Sequence, residues 1–148
     1  MNLNLLSDRL ALDPLAASDL DICLEIFTDP DVVRFAGGLM THSAIRREMD
    51  HWTKRGGDGS IGIWCISDRH TGEKYGTAAL LPMPIMQDKT DFSLVKPGHV
   101  PDRHIEIGYF LKRPAWGRGY ATEAAGRLLS FAFGETSMEE IVATIDED

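Results

Sequence analysis

Two glycines one residue apart, Gly117 and Gly119, place the strongest constraint on how this chain can fold. They lie between "RHIEIGYFL" (103–111), whose pattern predicts a strand, and "ATEAAGRLLSFAFGE" (121–135), whose apolar period predicts a helix. A tight turn into a helix presents unpaired backbone N–H groups at the positive end of the helix dipole. Because small residues let an anion reach those groups, the turn predicts a site for a phosphate-bearing ligand.

The distribution of charge agrees with an anionic ligand at this turn. The sequence has a formal net charge of −8, yet residues 103–127 contain five basic and two acidic side chains. A dedicated nucleic-acid binder needs a basic stripe, and a membrane span needs about 18 apolar residues in a row. The sequence shows neither feature, so we expect no nucleic-acid partner and no membrane partner.

Length and cysteine content narrow the class of protein further. The 148 residues suit one domain, 1–148, with a sizeable core. The first ten residues lack the basic start and long apolar stretch of a signal peptide, so we expect a reducing, cytoplasmic location. Cys23 and Cys65 lie among apolar neighbours without metal-like spacing, which predicts buried structural thiols rather than nucleophiles.

The chain alternates strand and helix patterns in the order β, α, α, β, β, β, α, β, which predicts a mixed α/β fold. Strands are predicted at 9–15, 60–68, 74–83, 103–111 and 139–148, and helices at 18–27, 41–55 and 121–135. The predicted caps are Ser18 for the first helix and Thr41 or Ser43 for the second. The predicted buried faces are Leu20, Cys23, Leu24 and Phe27, then Ile45, Met49 and Trp52, then Ala125, Leu128, Leu129 and Ala132. A hairpin turn is predicted at 71–73 and a long loop at 87–102.

Two common phosphate-binding motifs do not fit the glycine turn. A nucleotide P-loop requires GxxxxGK[ST], and no Lys-Ser or Lys-Thr pair follows a glycine here. The dinucleotide fingerprint GxGxxG would require glycine at Thr122 and a longer βαβ unit than the chain has room to finish. The ligand is therefore expected to be neither a P-loop nucleotide nor NAD.

The segment "WGRGYA" at 116–121 resembles the pyrophosphate loop of the GCN5-related N-acetyltransferases (GNAT family), [Gln/Arg]-x-x-Gly-x-[Gly/Ala], with Trp116 at the first position. The segment "GYATEA" at 119–124 resembles the RimJ/RimL-like branch of that family. Upstream, "SDRLALDPLAASDLD", "FTDPDVVRFAGG", "HTGEKYGTAAL" and "IEIGYFL" follow in the order found in the branch. The resemblance covers nearly all 148 residues.

The resemblance implies a mixed central sheet with helices on both faces, and acetyl-CoA bound beside the strand at 103–111. In this family the strand backbone pairs with the pantetheine arm, and the loop amides hold the pyrophosphate. The residues expected to bind the cofactor are therefore Phe110, Leu111, Trp116, Gly117, Arg118, Gly119, Tyr120, Ala121 and Thr122.

The chemistry that the resemblance implies is direct attack of a primary amine on the acetyl thioester, with CoA as product. A lysine-like amine has a pKa of about 10.4 and an α-amino group about 7.7 to 8.0, so a base must first take a proton. Glu106 is the candidate base because strand parity places it on one face with Gly108 and Phe110. Glutamates on this strand serve as bases in several relatives. The alternative is a polar or ion-paired strand residue near Arg103.

The remaining polar residues suggest no further chemistry. The five histidines have no metal-ligand spacing, so we expect no metal. His104 is either a surface residue or part of a proton relay. Glu123 falls in the first turn of the last helix, where interaction with the helix dipole is the first interpretation and catalysis the second.

The end of the sequence departs from the family pattern. Relatives continue with an Asn-containing turn, a helix and a final strand that carry a cofactor-contacting Asn and often a Tyr or Ser that protonates the leaving thiolate. Nothing follows Asp148, so we expect the C-terminal helix and strand to be missing. A thiolate with a pKa near 8.5 leaves without a strong acid. An exposed sheet edge invites pairing, which predicts a homodimer or reduced stability.

Two hypotheses about function follow. The first is acetyl transfer from acetyl-CoA to a primary amine, either a protein N-terminus or a small amine drawn by the acidic surface. The second is a catalytically weak CoA-binding or interaction module of the same fold. Composition in the early helices and in 87–102 does not name the amine.

Overall fold

The computed structural model describes residues 1–34, 36–85 and 90–143. Its sheet comprises β1 (Leu5–Leu6), β2 (Leu10–Pro14), β3 (Gly62–Asp68), β4 (Lys74–Pro82) and β5 (Ile105–Leu111). The strands are antiparallel neighbours in chain order. The helices are α1 (Leu20–Phe27), α2 (His42–Trp52) and α3 (Tyr120–Glu135). The mixed α/β prediction is confirmed.

Helices cover both faces of the sheet. On β3, Trp64 packs toward α3, where its ring lies 5.8 Å from that of Phe131, centroid to centroid. The next residue, Cys65, points to the opposite face and joins a second core formed by α1 and α2. This alternation follows from the two-residue period of a strand and separates the two cores.

The second helix has the predicted cap and buried face. The hydroxyl of Thr41 accepts a hydrogen bond from the Ala44 backbone N–H at 3.2 Å. Ile45, Met49 and Trp52 are buried against α1 and the sheet.

The predicted face of the first helix is partly wrong. A short 3₁₀ turn, Ala17–Asp19, precedes α1, so Asp19 rather than Ser18 occupies the capping position. The Asp19 carboxylate accepts from the Ala16 N–H and holds this turn. Because the helix starts later, Ile22 and Ile26 lie at the centre of the core, beside the predicted Cys23 and Phe27. The predicted Leu20 and Leu24 lie at its margin.

The predicted face of the last helix is wrong at two positions. Leu128 and Ala132 are buried as predicted, but Ala124 and Phe131 are buried in place of Ala125 and Leu129. The helix starts one residue earlier than predicted, at Tyr120. That ring stacks on Tyr75 of β4 with centroids 4.5 Å apart, which fixes the rotation of the first turn.

The remaining differences concern short or terminal segments. The strand β1 was not predicted, because two residues are too few to show alternation. The hairpin between β3 and β4 is confirmed, with Gly72 at a φ of 80°. The loop 87–102 contains a 3₁₀ turn, Phe92–Leu94, while residues 87–89 of that prediction lie outside the described residues.

The predicted last strand at 139–148 is only partly within the described residues. Val142 forms a parallel bridge with Glu106, and residues 144–148 lie outside the described part. None of the helices in the described ranges combines the length and apolar character needed to cross a membrane.

Candidate functional site

A cleft of about 820 Å³ opens between β5 and the N-terminal end of α3. Its volume lies in the range of small-molecule sites, about 300–1,000 Å³. The lining includes Glu106 and every predicted cofactor residue except Arg118. The loop between α1 and α2 also contributes, through Val32 and Ala36. The structure therefore brings the predicted base and the glycine loop to one cavity.

The glycine loop has the backbone conformation that only glycine adopts readily. Gly117 and Gly119 have φ angles of 76° and 79°, in the left-handed region. A Cβ added at Gly117 would meet no atom within 4 Å, so backbone conformation explains this glycine and neighbouring protein atoms do not. Gly119 caps α3 without a side-chain hydrogen bond, so no side chain caps the first-turn amides, and residues 119–122 line the cleft.

A contact from the far end of the chain holds this loop. The Arg9 guanidinium donates through Nη1 to the Arg118 carbonyl at 2.8 Å, and through Nε to Glu123 Oε1 at 2.7 Å. The same guanidinium lies over the Tyr120 ring, 4.6 Å from its centroid. Neither Arg9 nor Arg118 is among the described residues that line the cleft. The turn between β1 and β2 therefore positions the glycine loop.

Glu123 has a more specific role than the predicted interaction with the helix dipole. Its carboxylate accepts hydrogen bonds from the Ser7 hydroxyl, the Arg9 backbone N–H and the Arg9 side chain. Burial alone would raise the pKa of this carboxyl group, but these hydrogen bonds outweigh burial and lower the pKa. Glu123 is therefore ionised under ordinary conditions and ties α3 to the β1–β2 turn.

The register of β5 decides which backbone groups face the cleft. In an antiparallel ladder the backbone groups of alternate residues point to opposite sides of the strand. The backbone carbonyl of His104 accepts a hydrogen bond from the Met83 N–H, and the backbone N–H of Lys112 donates to the Tyr75 carbonyl. Even-numbered residues therefore direct their backbone groups to β4. Phe110 therefore directs its backbone to β4 and contributes its side chain to the cleft lining.

Odd-numbered residues of β5 point their backbone groups away from β4. Ile107 donates to the Val142 carbonyl and Ile105 accepts from the Val142 N–H. By the same alternation, Tyr109 and Leu111 direct their N–H and C=O groups into the cleft. The Leu111 carbonyl accepts from Trp116 Nε1 at 2.8 Å, which explains what a tryptophan does at the first position of the loop.

Glu106 is a buried acid on the lining of the cleft. Its side chain lies on the face of β5 that carries Phe110, and the residue is only 6% exposed. Oε1 accepts a hydrogen bond from the Ile85 backbone N–H at 2.9 Å. No ion pair with Arg103 accompanies it among the described residues. The Glu106 carboxylate is thus held by a backbone amide at the wall of the cleft.

An ion-pair cluster that sequence reasoning missed attaches the α1–α2 loop to the cleft. Arg113 donates through Nε to Asp29 Oδ2 at 2.6 Å and through Nη1 to Asp31 Oδ2 at 3.1 Å. Burial would raise the pKa of Asp29, but the Arg113 guanidinium and backbone hydrogen bonds lower it. Charge complementarity between "TDPD" and "KRP" was the only sequence signal for this contact.

His104 lies at the surface, whereas the two cysteines are buried. His104 Nδ1 lies 3.0 Å from Glu140 Oε1 on the exposed surface. No group of residues suited to a metal ion occurs within the described ranges. Both thiols are buried as predicted, and burial raises the pKa of Cys23 and of Cys65 to about 12. Neither thiol is therefore a nucleophile at neutral pH.

A family model described as the acetyltransferase (GNAT) domain matches residues 9–148. The chain therefore belongs to the GNAT acetyltransferase family, and the predicted family is confirmed. Two solved structures share the fold, both at a TM-score of 0.69. The GNAT-family acetyltransferase from Bacillus anthracis is 18% identical, with 95% of this chain and 72% of that chain covered. The acetyltransferase from Agrobacterium tumefaciens is 23% identical, with 97% and 74% covered.

Two curated proteins are also similar in sequence. The uncharacterized protein YkkB of Bacillus subtilis is 32% identical over 122 residues, which cover 82% of this chain and 62% of YkkB. The FsC-acetyl coenzyme A-N(2)-transacetylase of Aspergillus fumigatus is 26% identical over 137 residues, which cover 90% of this chain and 54% of that protein. The chain thus spans about three fifths of YkkB and about half of the transacetylase.

Proposed function

We propose that this chain transfers an acetyl group from acetyl-CoA to a primary amine, by direct attack of the amine on the thioester. Family membership supports acetyl transfer in general. The observation that carries the proposal is the shared cleft, which joins the left-handed glycine loop, the outward backbone of β5 and the buried Glu106.

The residues of the cleft suit a pyrophosphate-bearing thioester. The first-turn amides of α3 and the positive end of its dipole favour a diphosphate beside Gly117 and Gly119. The N–H and C=O groups of Tyr109 and the N–H of Leu111 would pair with an extended amide-containing arm, as an added strand does. Phe110 then contributes side-chain contacts in place of the backbone pairing expected from sequence. Acetyl-CoA would supply the activated acyl group.

Glu106 would act as the base that accepts the proton of the attacking ammonium, directly or through water. The Ile85 N–H donates to one carboxylate oxygen, which fixes the orientation of the Glu106 side chain at the wall of the cleft. A backbone N–H of β5, at Tyr109 or Leu111, would donate to the oxygen that gains negative charge. These roles need no covalent attachment to the protein.

The finer features of the function are proposals as well. The branch resembling RimJ/RimL favours a protein N-terminus as acceptor, and the acidic net charge of −8 favours a cationic amine. The Aspergillus relative is named for acetyl coenzyme A and an N(2) position, which supports a nitrogen acceptor. We further propose a cytoplasmic location and a homodimer.

Calorimetric titration of acetyl-CoA tests the cofactor site. We expect micromolar binding to the wild type and none to Gly119→Glu, whose carboxylate would occupy the anion site. Gly126→Glu is the matched control because Gly126 lies exposed on α3 with no atom within 4 Å of an added Cβ. Equal loss of binding in both variants would mean that added charge, and not the loop, is responsible.

Turnover with a panel of amines then separates the enzyme from a CoA-binding module. We expect Glu106→Gln to bind acetyl-CoA like the wild type and to lose about 10²- to 10⁴-fold in kcat, the range for general-base catalysis. Binding of CoA without product from any amine would support the binding module. Full activity of Glu106→Gln would remove Glu106 from the mechanism.

A further inference from the structure

A second, smaller pocket of about 50 Å³ lies behind β5, on the face of the sheet that carries α1 and α2. Its described lining contains no charged side chain, and its polar side-chain atoms are one thiol, two hydroxyls and one indole N–H, from Cys23, Thr77, Thr90 and Trp52. Four aromatic residues line it: Phe27, Trp52, Phe92 and Phe110. The pocket is therefore suited to an apolar group.

The aromatic walls give this pocket a fixed shape. The ring of Phe27 lies 4.8 Å from that of Trp52 and 5.3 Å, edge to face, from that of Phe110, centroid to centroid. One water fills about 10–15 Å³ of such a cavity, so the pocket holds a group several waters in size. Water gains few hydrogen bonds among these side chains, whereas an alkyl group or ring gains dispersion contacts.

The pocket adjoins the proposed reaction site. Ile85, Gly108 and Phe110 line both the pocket and the large cleft. Gly108 has no side chain, and a Cβ there would approach Ile85 Cδ1 to 3.3 Å. The Ile85 side chain thus occupies the space at Gly108, while its backbone N–H holds Glu106. A group in the pocket would lie one side chain away from the proposed base.

We propose that this apolar pocket, lined by α1, α2 and the central strands, receives an uncharged alkyl or single-ring substituent of the acceptor. The acceptor amine is thereby directed toward Glu106. The proposal rests on the proposed acetyl transfer, because it assigns the acceptor side of the same site. Linear polyamines suit the pocket poorly, since a second ammonium there would lose its hydration without gaining a charged partner among the described lining residues.

Direct binding tests this inference without relying on turnover. In calorimetric titrations with CoA at saturation, we expect benzylamine to bind the wild type at least tenfold more tightly than butane-1,4-diamine. Ala79→Leu adds three carbons to a residue that lines the pocket and should weaken benzylamine at least tenfold, while CoA affinity is unchanged. The unchanged CoA affinity shows that the variant is folded.

A second variant keeps the test independent of Ala79→Leu. Leu81→Ala enlarges the same pocket, so it should bind naphthylmethylamine more tightly than the wild type does. Failure of the wild type to bind benzylamine, or equal binding by the wild type and Ala79→Leu, would overturn the inference.

Turnover distinguishes the free amine from a peptide and separates this inference from the proposed function. Benzylamine and a peptide beginning with Phe carry the same apolar ring, and their kcat/KM values show which source the pocket serves. Acetylation of butane-1,4-diamine in preference to both would refute the inference and leave acetyl transfer intact. Benzylamine bound in the pocket with no amine acetylated would refute acetyl transfer and leave the pocket assignment intact.

Discussion

Alanine substitution at two glycines of the same region should change stability in opposite directions. Gly119 has a φ of 79°, and a left-handed conformation costs a non-glycine residue about 1–2 kcal/mol. An added Cβ would lie 3.4 Å from Arg9 Nη2, the end of a flexible side chain, so steric overlap adds little. For a chain of this size 1 kcal/mol corresponds to about 2–4 °C, so Gly119→Ala should lower Tm by about 2–8 °C.

Gly126 provides the matched control. It lies inside α3 with no atom within 4 Å of an added Cβ, and a glycine inside a helix costs about 1 kcal/mol relative to alanine. Gly126→Ala should therefore raise Tm by about 2–4 °C and leave CoA affinity unchanged, whereas Gly119→Ala should also weaken CoA. Differential scanning calorimetry gives both values. A Tm for Gly119→Ala at or above that of the wild type would refute the left-handed assignment.

Three further predictions concern Arg9, the two cysteines and Glu123. Arg9→Ala should raise KM for acetyl-CoA several-fold with kcat little changed, because it releases the Arg118 carbonyl; an equal fall in kcat would instead indicate a general loss of structure. The native protein at pH 8 should react with an aromatic disulfide reagent at neither Cys23 nor Cys65, and at both after denaturation; rapid native labelling would contradict the burial that raises each pKa to about 12. Because folding lowers the pKa of Glu123 below its ordinary value of 4.5, the ionised carboxylate stabilises the folded state above pH 4.5. That stability is lost as the pH falls through the pKa of Glu123 in the folded state. Glu123→Gln should therefore flatten the loss of Tm below about pH 4.5, and an unchanged acid profile would show that Glu123 does not contribute.

Local patterns predicted the main elements and the glycine loop. The period of α2 and its Thr41 cap depend on neighbours in sequence, and both are confirmed. The two cores also follow from alternation on β3, since Trp64 and Cys65 must face opposite sides. These features need only the nearest residues along the chain.

Contacts between distant segments could not be read from the sequence. Ser7 and Arg9 lie more than 110 positions from Glu123, so the first interpretation of that acid was the helix dipole. The direction of the Phe110 backbone depends on the register between β4 and β5, which no local pattern fixes. The salt bridge from Arg113 to Asp29 joins two loops whose approach only the folded chain reveals.

The most direct test of the central claim is a titration of CoA into the ¹⁵N-labelled chain, followed by the amide resonances of residues 117–122 and β5. We predict saturable shifts at Gly117, Gly119, Tyr109 and Leu111, with the Phe110 amide shielded by its pairing to β4, and loss of these shifts in Gly119→Glu. Shifts confined to other parts of the folded protein, or saturable binding that Gly119→Glu leaves intact, would contradict a CoA site at the glycine loop.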